Sequence, residues 1–220
     1  MNTTFINILV WLGALVLSAL LFYNGTQLPE GFFKYVPTVG GVLVLAVTAF
    51  ERFAWRWPGF NALAGSRPDL HGTWKGVLKS EWKDKDGNLK PPIEVYFVIR
   101  QTFLTLHIKL LTPESFSDTV ATHLSIENGT RSVVAVYRNE PELSRQPVSP
   151  IHYGSFRVTV VGTPAFRLRG EYWTARSTKG EFEFSARSKV LYDDFQSASA
   201  GEYVVPVAAP AATQGASAQG

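Results

Sequence analysis

Hydrophobic and polar positions divide the chain into stretches of different period. From Phe5 to Tyr23 apolar residues run almost unbroken, interrupted only by Asn7, Gly13 and Ser18. A second run, Phe32 to Trp57, holds Val36 to Phe50 without a charge, with Lys34 at one end and Glu51 and Arg52 at the other. Each run matches the ~20 apolar residues that a helix needs to cross a ~30 Å hydrocarbon core. The pattern predicts a transmembrane hairpin over residues 1–57, with helices over 5–23 and 34–54. Arg52, Arg56 and Arg67 follow the charge-free span Val36 to Phe50, whereas the connector from Asn24 to Gly31 contains Glu30 and no basic residue. That asymmetry places both termini on the cytoplasmic side of a bacterial inner membrane. Met1 to Phe5 carries no Lys or Arg and no A-x-A follows, so the first run reads as an uncleaved anchor and not as a signal peptide. Tyr23, Trp55 and Trp57 are expected at the lipid–water interface.

After a linker over 58–68 the period changes to two, the mark of strands with one buried face. Ile93 to Arg100 is the clearest case, with apolar residues at every odd position. Similar patterns over Trp74–Lys79, Leu104–Leu111, Thr119–Ile126, Ser132–Arg138, His152–Val161, Phe166–Thr174 and Glu181–Lys189 predict about eight strands. Asn128-Gly129 supplies the two positive-φ positions of a type I′ hairpin turn. Short strands joined by brief turns predict a small antiparallel up-and-down β-barrel over 69–192, favoured over a sandwich because closure removes the sheet edges. Residues 193–220, rich in Ala, Ser, Gly, Pro and Gln, predict a disordered tail.

Composition adds exclusions. The chain has no cysteine, a net charge of +3 and four histidines, so thiolate metal sites and a concentrated nucleic-acid-binding charge are ruled out. Asp84 to Asn88 resembles a calcium loop, but its glycine comes too early and Val95 stands where a bidentate Glu is needed, so it reads as a hairpin turn. The histidines lack H-x-x-x-H spacing, and no nucleophile elbow, phosphate-binding loop or dinucleotide fingerprint occurs. The reading is therefore a non-enzyme without cofactor or metal, binding no DNA or RNA polymer.

Candidate binding residues lie near strand ends. Alternation that points Leu168 inward also carries Tyr172, Thr174 and Arg176 inward, and a phase set by Val134 and Val136 brings Arg138 to the same side. Two converging guanidiniums call for an anion such as phosphate, held by forked hydrogen bonds. Trp74, Tyr153 and Tyr172 offer rings on which a nucleobase stacks. Against each stands a plainer role, since a barrel buries aromatics in any case and strand-end arginines reach water.

Several stretches together resemble a known family: Leu70-His71-Gly72-Thr73-Trp74-Lys75-Gly76, Pro92 to Tyr96, Ile99 to Phe103, Glu171 to Thr174 and Gly180-Glu181. With the preceding hairpin, they resemble the SMODS-associating, two-transmembrane, β-strand-rich effectors of CBASS anti-phage operons, the CD-NTase-associated membrane effectors. The resemblance covers the hairpin through about Lys189. It implies a barrel that binds a cyclic dinucleotide made by a partner CD-NTase, then homo-oligomerisation, disruption of the inner membrane bilayer and abortive-infection cell death. The alternative from another class is a membrane-anchored, lipocalin-like carrier of a lipid or fatty acid.

Overall fold

The computed structural model describes residues 3–24, 30–63, 65–83 and 86–206, and divides into two units: residues 1–67 with 102–104, and residues 68–101 with 105 onward. The first unit contains α1 (Thr3–Asn24) and α2 (Glu30–Arg52), which pack where Gly13 faces Leu43. A Cβ on Gly13 would stand 3.1 Å from a Leu43 methyl, so the small residue permits the close approach. Trp11, Phe22, Tyr23, Val44 and Leu45 leave most of their surface exposed. Over the described residues, no helix is long and apolar enough to cross a membrane; described side chains begin at Val10 in α1 and, apart from Tyr35, at Pro37 in α2. Trp55 departs from its expected interfacial position. It is fully buried and packs against Phe103, while Trp57 stays exposed. The end of the region expected as the hairpin turns into a 3-10 helix over Ala54–Arg56, and the stretch expected as a plain linker, 58–68, opens with α3 (Pro58–Leu63), where the Asn61 amide ties back to the Arg67 carbonyl at 2.9 Å.

The second unit is a closed barrel of eight antiparallel strands in simple up-and-down order. These are β1 (Gly72–Ser80), β2 (Ile93–Gln101), β3 (Leu106–Leu111), β4 (Ser115–Glu127), β5 (Thr130–Pro141), β6 (His152–Val161), β7 (Arg167–Thr174) and β8 (Lys179–Ser188). β1 pairs with both β2 and β8, so no edge is left unpaired. The expected hairpin turn forms at Asn128 (φ 48°) and Gly129 (φ 76°), joining the two longest strands. Both turn positions lie in the left-handed region, where Asn and Gly are the tolerated residues.

Inside, the barrel is filled by rings. Phe97 stacks on Phe184 at 4.1 Å and also meets Phe156 and Phe182 at 5.2 and 5.3 Å, while Tyr172 lies 5.0 Å from Phe182. An eight-stranded interior is just wide enough for such a filling.

One end is closed by polar chemistry. Gln101 is 4% exposed, accepts from the Leu70 amide at 2.7 Å and donates to the Pro68 carbonyl at 3.0 Å. The Arg187 guanidinium donates to the Asp69 carbonyl at 3.0 Å and the His71 carbonyl at 3.1 Å, and lies 5.2 Å from the Trp74 ring centroid.

Residues 193–206 correct the expectation of a tail disordered from 193. Asp194 caps a short helix, α4 (Phe195–Ser199), accepting from the Ser197 amide at 2.8 Å, and Val204 pairs with Arg187. Phe195 and Tyr203 pack on Tyr96 at 5.5 and 5.6 Å, covering an outward face of β2 formed with Val98 and of β3 with Leu111. With Tyr192 just before the stretch, these two aromatics among the Ala, Ser and Gly residues supply the apolar area that average composition hides. Residues 207–220 lie outside the described residues.

Candidate functional site

The end opposite Trp74 opens into a cavity of about 410 Å³. Its size falls in the range of small-ligand sites, ~300–1,000 Å³. The floor is set by inward residues of adjacent strands: Tyr137 and Asn139 from β5, His152 from β6, Tyr172 and Thr174 from β7. Its opposite wall carries Leu78, Leu110 and Ser117, and Lys90 and Arg176 stand at the rim.

Tyr137 reaches its position because β6 has a glycine beneath it. A Cβ on Gly154 would stand 2.4 Å from the Tyr137 ring, so only glycine allows the ring to lie across the strand. Burial pushes the Tyr137 phenol well above its ordinary range, with the neighbouring Tyr172 adding to the effect. Tyr172 is raised too, by burial first, with a hydrogen bond to Ser80 pulling the other way and Glu81 adding a smaller increase. Both phenols therefore remain neutral and present a ring face and a hydroxyl to the cavity.

On the rim, Arg176 occupies the β7–β8 turn. Its guanidinium donates to Ser149 Oγ at 2.6 Å and to the Val148 carbonyl at 3.4 Å, joining that turn to the β5–β6 loop. The turn beneath is held by Thr174 and Thr178, whose hydroxyls are 2.6 Å apart. An exposed guanidinium with two neutral partners keeps its remaining donors for an anion.

The six residues singled out in the sequence divide evenly. Tyr172, Thr174 and Arg176 come together at the cavity. Trp74 sits at the closed end, fully buried, with its indole N–H donating to the Leu70 carbonyl at 2.9 Å; it plugs the barrel and faces no open space. Arg138 lies on the outer face beside Glu140 at 3.3 Å, because Val133, Ala135 and Tyr137 hold the inward phase of β5 and Val134 and Val136 the outward one. Tyr153 is 54% exposed and also points outward, since His152, Gly154, Phe156 and Val158 take the inward phase of β6. Two guanidiniums therefore do not converge at the mouth.

Tyr137, Asn139 and His152 were not singled out in the sequence. A usable signal was present in β6, where Phe156, Val158 and Val160 alternate with Ser155, Arg157 and Thr159 and so point His152 inward. The direct pairing of Asn139 with His152 across β5 and β6 then assigns Asn139 to the same face.

Comparison with known proteins agrees with the fold and with the family resemblance. A family model described as "Cap15, cyclic dinucleotide receptor domain" matches residues 66–186, more than half of the chain and nearly the whole of the barrel. The chain is also 26% identical over 176 residues to the CD-NTase-associated protein 15 of Staphylococcus schleiferi, an alignment covering 80% of this chain and 92% of that relative. With its eight-stranded barrel and the matched span coinciding, the chain belongs to the family of the Cap15 cyclic dinucleotide receptor domain.

Proposed function

We propose that this protein is a CBASS effector whose barrel mouth binds a cyclic dinucleotide made by a partner CD-NTase. Family membership supports the ligand class, and one observation carries the location: above an aromatic-filled core, the end opposite Trp74 gathers two neutral phenols, short hydroxyl side chains and the Arg176 guanidinium around about 410 Å³ of space. Phosphate meets the guanidinium through charge-assisted hydrogen bonds, and a base meets the phenol rings. The same filling weighs against the carrier alternative, since an acyl chain would need the volume that Phe97, Phe156, Phe182 and Phe184 occupy.

In this reading α1 and α2 lie in the bacterial inner membrane with both termini and the barrel in the cytoplasm. The apolar runs and the exposed apolar side chains of both helices support that placement, because water-facing helices do not carry such stripes. Ligand binding drives self-association, and the gathered hairpins disrupt the bilayer and end the infection with the cell.

Calorimetric titration of the full chain in detergent with a panel of cyclic dinucleotides tests the receptor function. Binding of at least one member, weakened about tenfold or more by Arg176→Ala, is the expected result, since a charged hydrogen bond is worth roughly 1.5–3 kcal/mol. A folded sample that binds none of them refutes it.

A further inference from the structure

We propose that Asn139 and His152 form a paired hydrogen-bond acceptor at the barrel mouth that selects guanine in the ligand; the proposal rests on the receptor reading above. The orientation of the Asn139 amide follows from proton accounting along β4. Thr112 Oγ1 donates to the Ser115 carbonyl at 2.9 Å and accepts from the Ser115 amide at 3.0 Å. Its 3.0 Å contact with Ser115 Oγ has either hydroxyl as its donor. One end of the Asn139 amide meets Ser115 Oγ at 3.1 Å and the Phe116 carbonyl, which can only accept, so the atom of Asn139 turned toward β4 is the nitrogen Nδ2. Ser117 Oγ at 2.9 Å and the Phe116 carbonyl at 3.4 Å face the same nitrogen. The network thus assigns Oδ1, a pure acceptor, as the group that Asn139 offers to the cavity it lines.

His152 reaches the same state by a shorter route. Its Nδ1 lies 2.9 Å from the Pro150 carbonyl, which can only accept, so the contact selects the tautomer with the proton on Nδ1 and Nε2 as the acceptor. Asn139 and His152 are directly opposed in the β5–β6 register and both line the cavity. Opposed side chains on one face of a sheet stand about 4.5–5.5 Å apart at Cβ.

Two neighbouring acceptors are satisfied by two neighbouring donors. The Watson–Crick edge of guanine carries N1–H beside the N2 amine and meets that requirement. Adenine places its amine beside a bare N1 lone pair, cytosine sets one amine beside two acceptors, N3 and O2, and uracil sets N3–H between two carbonyls, so none of them offers two adjacent donors. Each of these leaves one protein acceptor facing a lone pair, at the cost of an unsatisfied group. Reading an unstacked base on this edge, with a ring such as Tyr172 against its face, is the usual mode for bases presented outside a duplex.

The test is a calorimetric titration of the unaltered full chain in detergent with 3′,3′-cyclic di-GMP, its analogue cyclic di-IMP, which lacks only the N2 amines, and cyclic di-AMP. Cyclic di-GMP is expected to bind tightest, with cyclic di-IMP weaker by about 5- to 150-fold and cyclic di-AMP at least as weak. In Asn139→Ala the three affinities should draw to within about threefold of one another. Equal affinities in the unaltered chain, or tighter binding of cyclic di-AMP, overturn the guanine proposal and leave the receptor reading standing. Binding of none of the three overturns the guanine proposal, and binding of no member of the wider cyclic dinucleotide panel overturns the receptor reading as well. Because the ligand series alone decides, a poorly folded Asn139→Ala variant does not remove the test.

Discussion

Arg187→Ala separates a structural closed end from a second binding site. The guanidinium side chain is 19% exposed, satisfies the main-chain carbonyls of Asp69 and His71, and reaches the Asp69 carboxylate at 3.3 Å. Removing it leaves two carbonyls without their donor, each worth ~1–3 kcal/mol where water is excluded and nearer the low end where some can enter. Loss of the cation–π contact with Trp74 adds about 0.5–1 kcal/mol. The sum is roughly 2–4 kcal/mol, and a domain of this size loses about 3 °C in Tm per kcal/mol, so a fall of about 6–12 °C is expected. Arg138→Ala is the control: its partner is Glu140 at 3.3 Å on the outer face, and pairs of this kind contribute ~0–1 kcal/mol. Thermal unfolding of the full chain by circular dichroism, with a cyclic dinucleotide titration of each variant at a temperature where it is folded, measures both effects. Arg187→Ala should melt early and bind normally, and Arg138→Ala should do neither damage. An Arg187→Ala variant with unchanged Tm and lost binding would refute the assignment of that end as a plug.

Two further outcomes follow from the geometry. Gly154→Ala would place a Cβ 2.4 Å from the Tyr137 ring and 2.8 Å from the Trp173 carbonyl, so the ring is forced into the cavity; about 1–3 kcal/mol of stability and most of the ligand affinity should be lost, and unchanged binding by titration would contradict the mouth geometry. Glu94 feels burial, which raises its pKa, but hydrogen bonds from Lys75 at 2.6 Å and from the Tyr96 hydroxyl outweigh it and hold the carboxyl below its ordinary 4.5. A depressed folded-state pKa stabilises the fold above that ordinary value and ceases to do so as pH falls through the folded one. The Tm advantage over Glu94→Gln should accordingly be present at neutral pH and vanish in acid; a gap that widens in acid would contradict the pairing.

The barrel was legible because its strands alternate against water on one side. In β2 the odd positions Ile93, Val95, Phe97 and Ile99 mark the core without ambiguity. The even positions Tyr96 and Val98 are apolar too, a sign that the outer face is covered as well. Residues 191–204 cover it, yet their Ala and Ser content conceals Tyr192, Phe195 and Tyr203 from any compositional reading. The site was half legible for a related reason. In β5 the run Val133 to Tyr137 is apolar in both phases, so alternation cannot decide whether Tyr137 or Arg138 faces inward; only pairing with β6, a contact distant in sequence, fixes it. Trp74 could not be told from a ligand platform because a plug and a platform both need a large ring facing inward. What separates them is the end of the barrel on which the ring lies.

Hydrogen exchange of the full chain with and without saturating cyclic dinucleotide tests the central assignment most directly. Protection is predicted at amides of residues 137–141, 149–153 and 172–178, around the mouth, with residues 69–74 and 187–190 at the closed end unchanged. Protection confined to the closed end or to the outer face of β5 and β6 would contradict it.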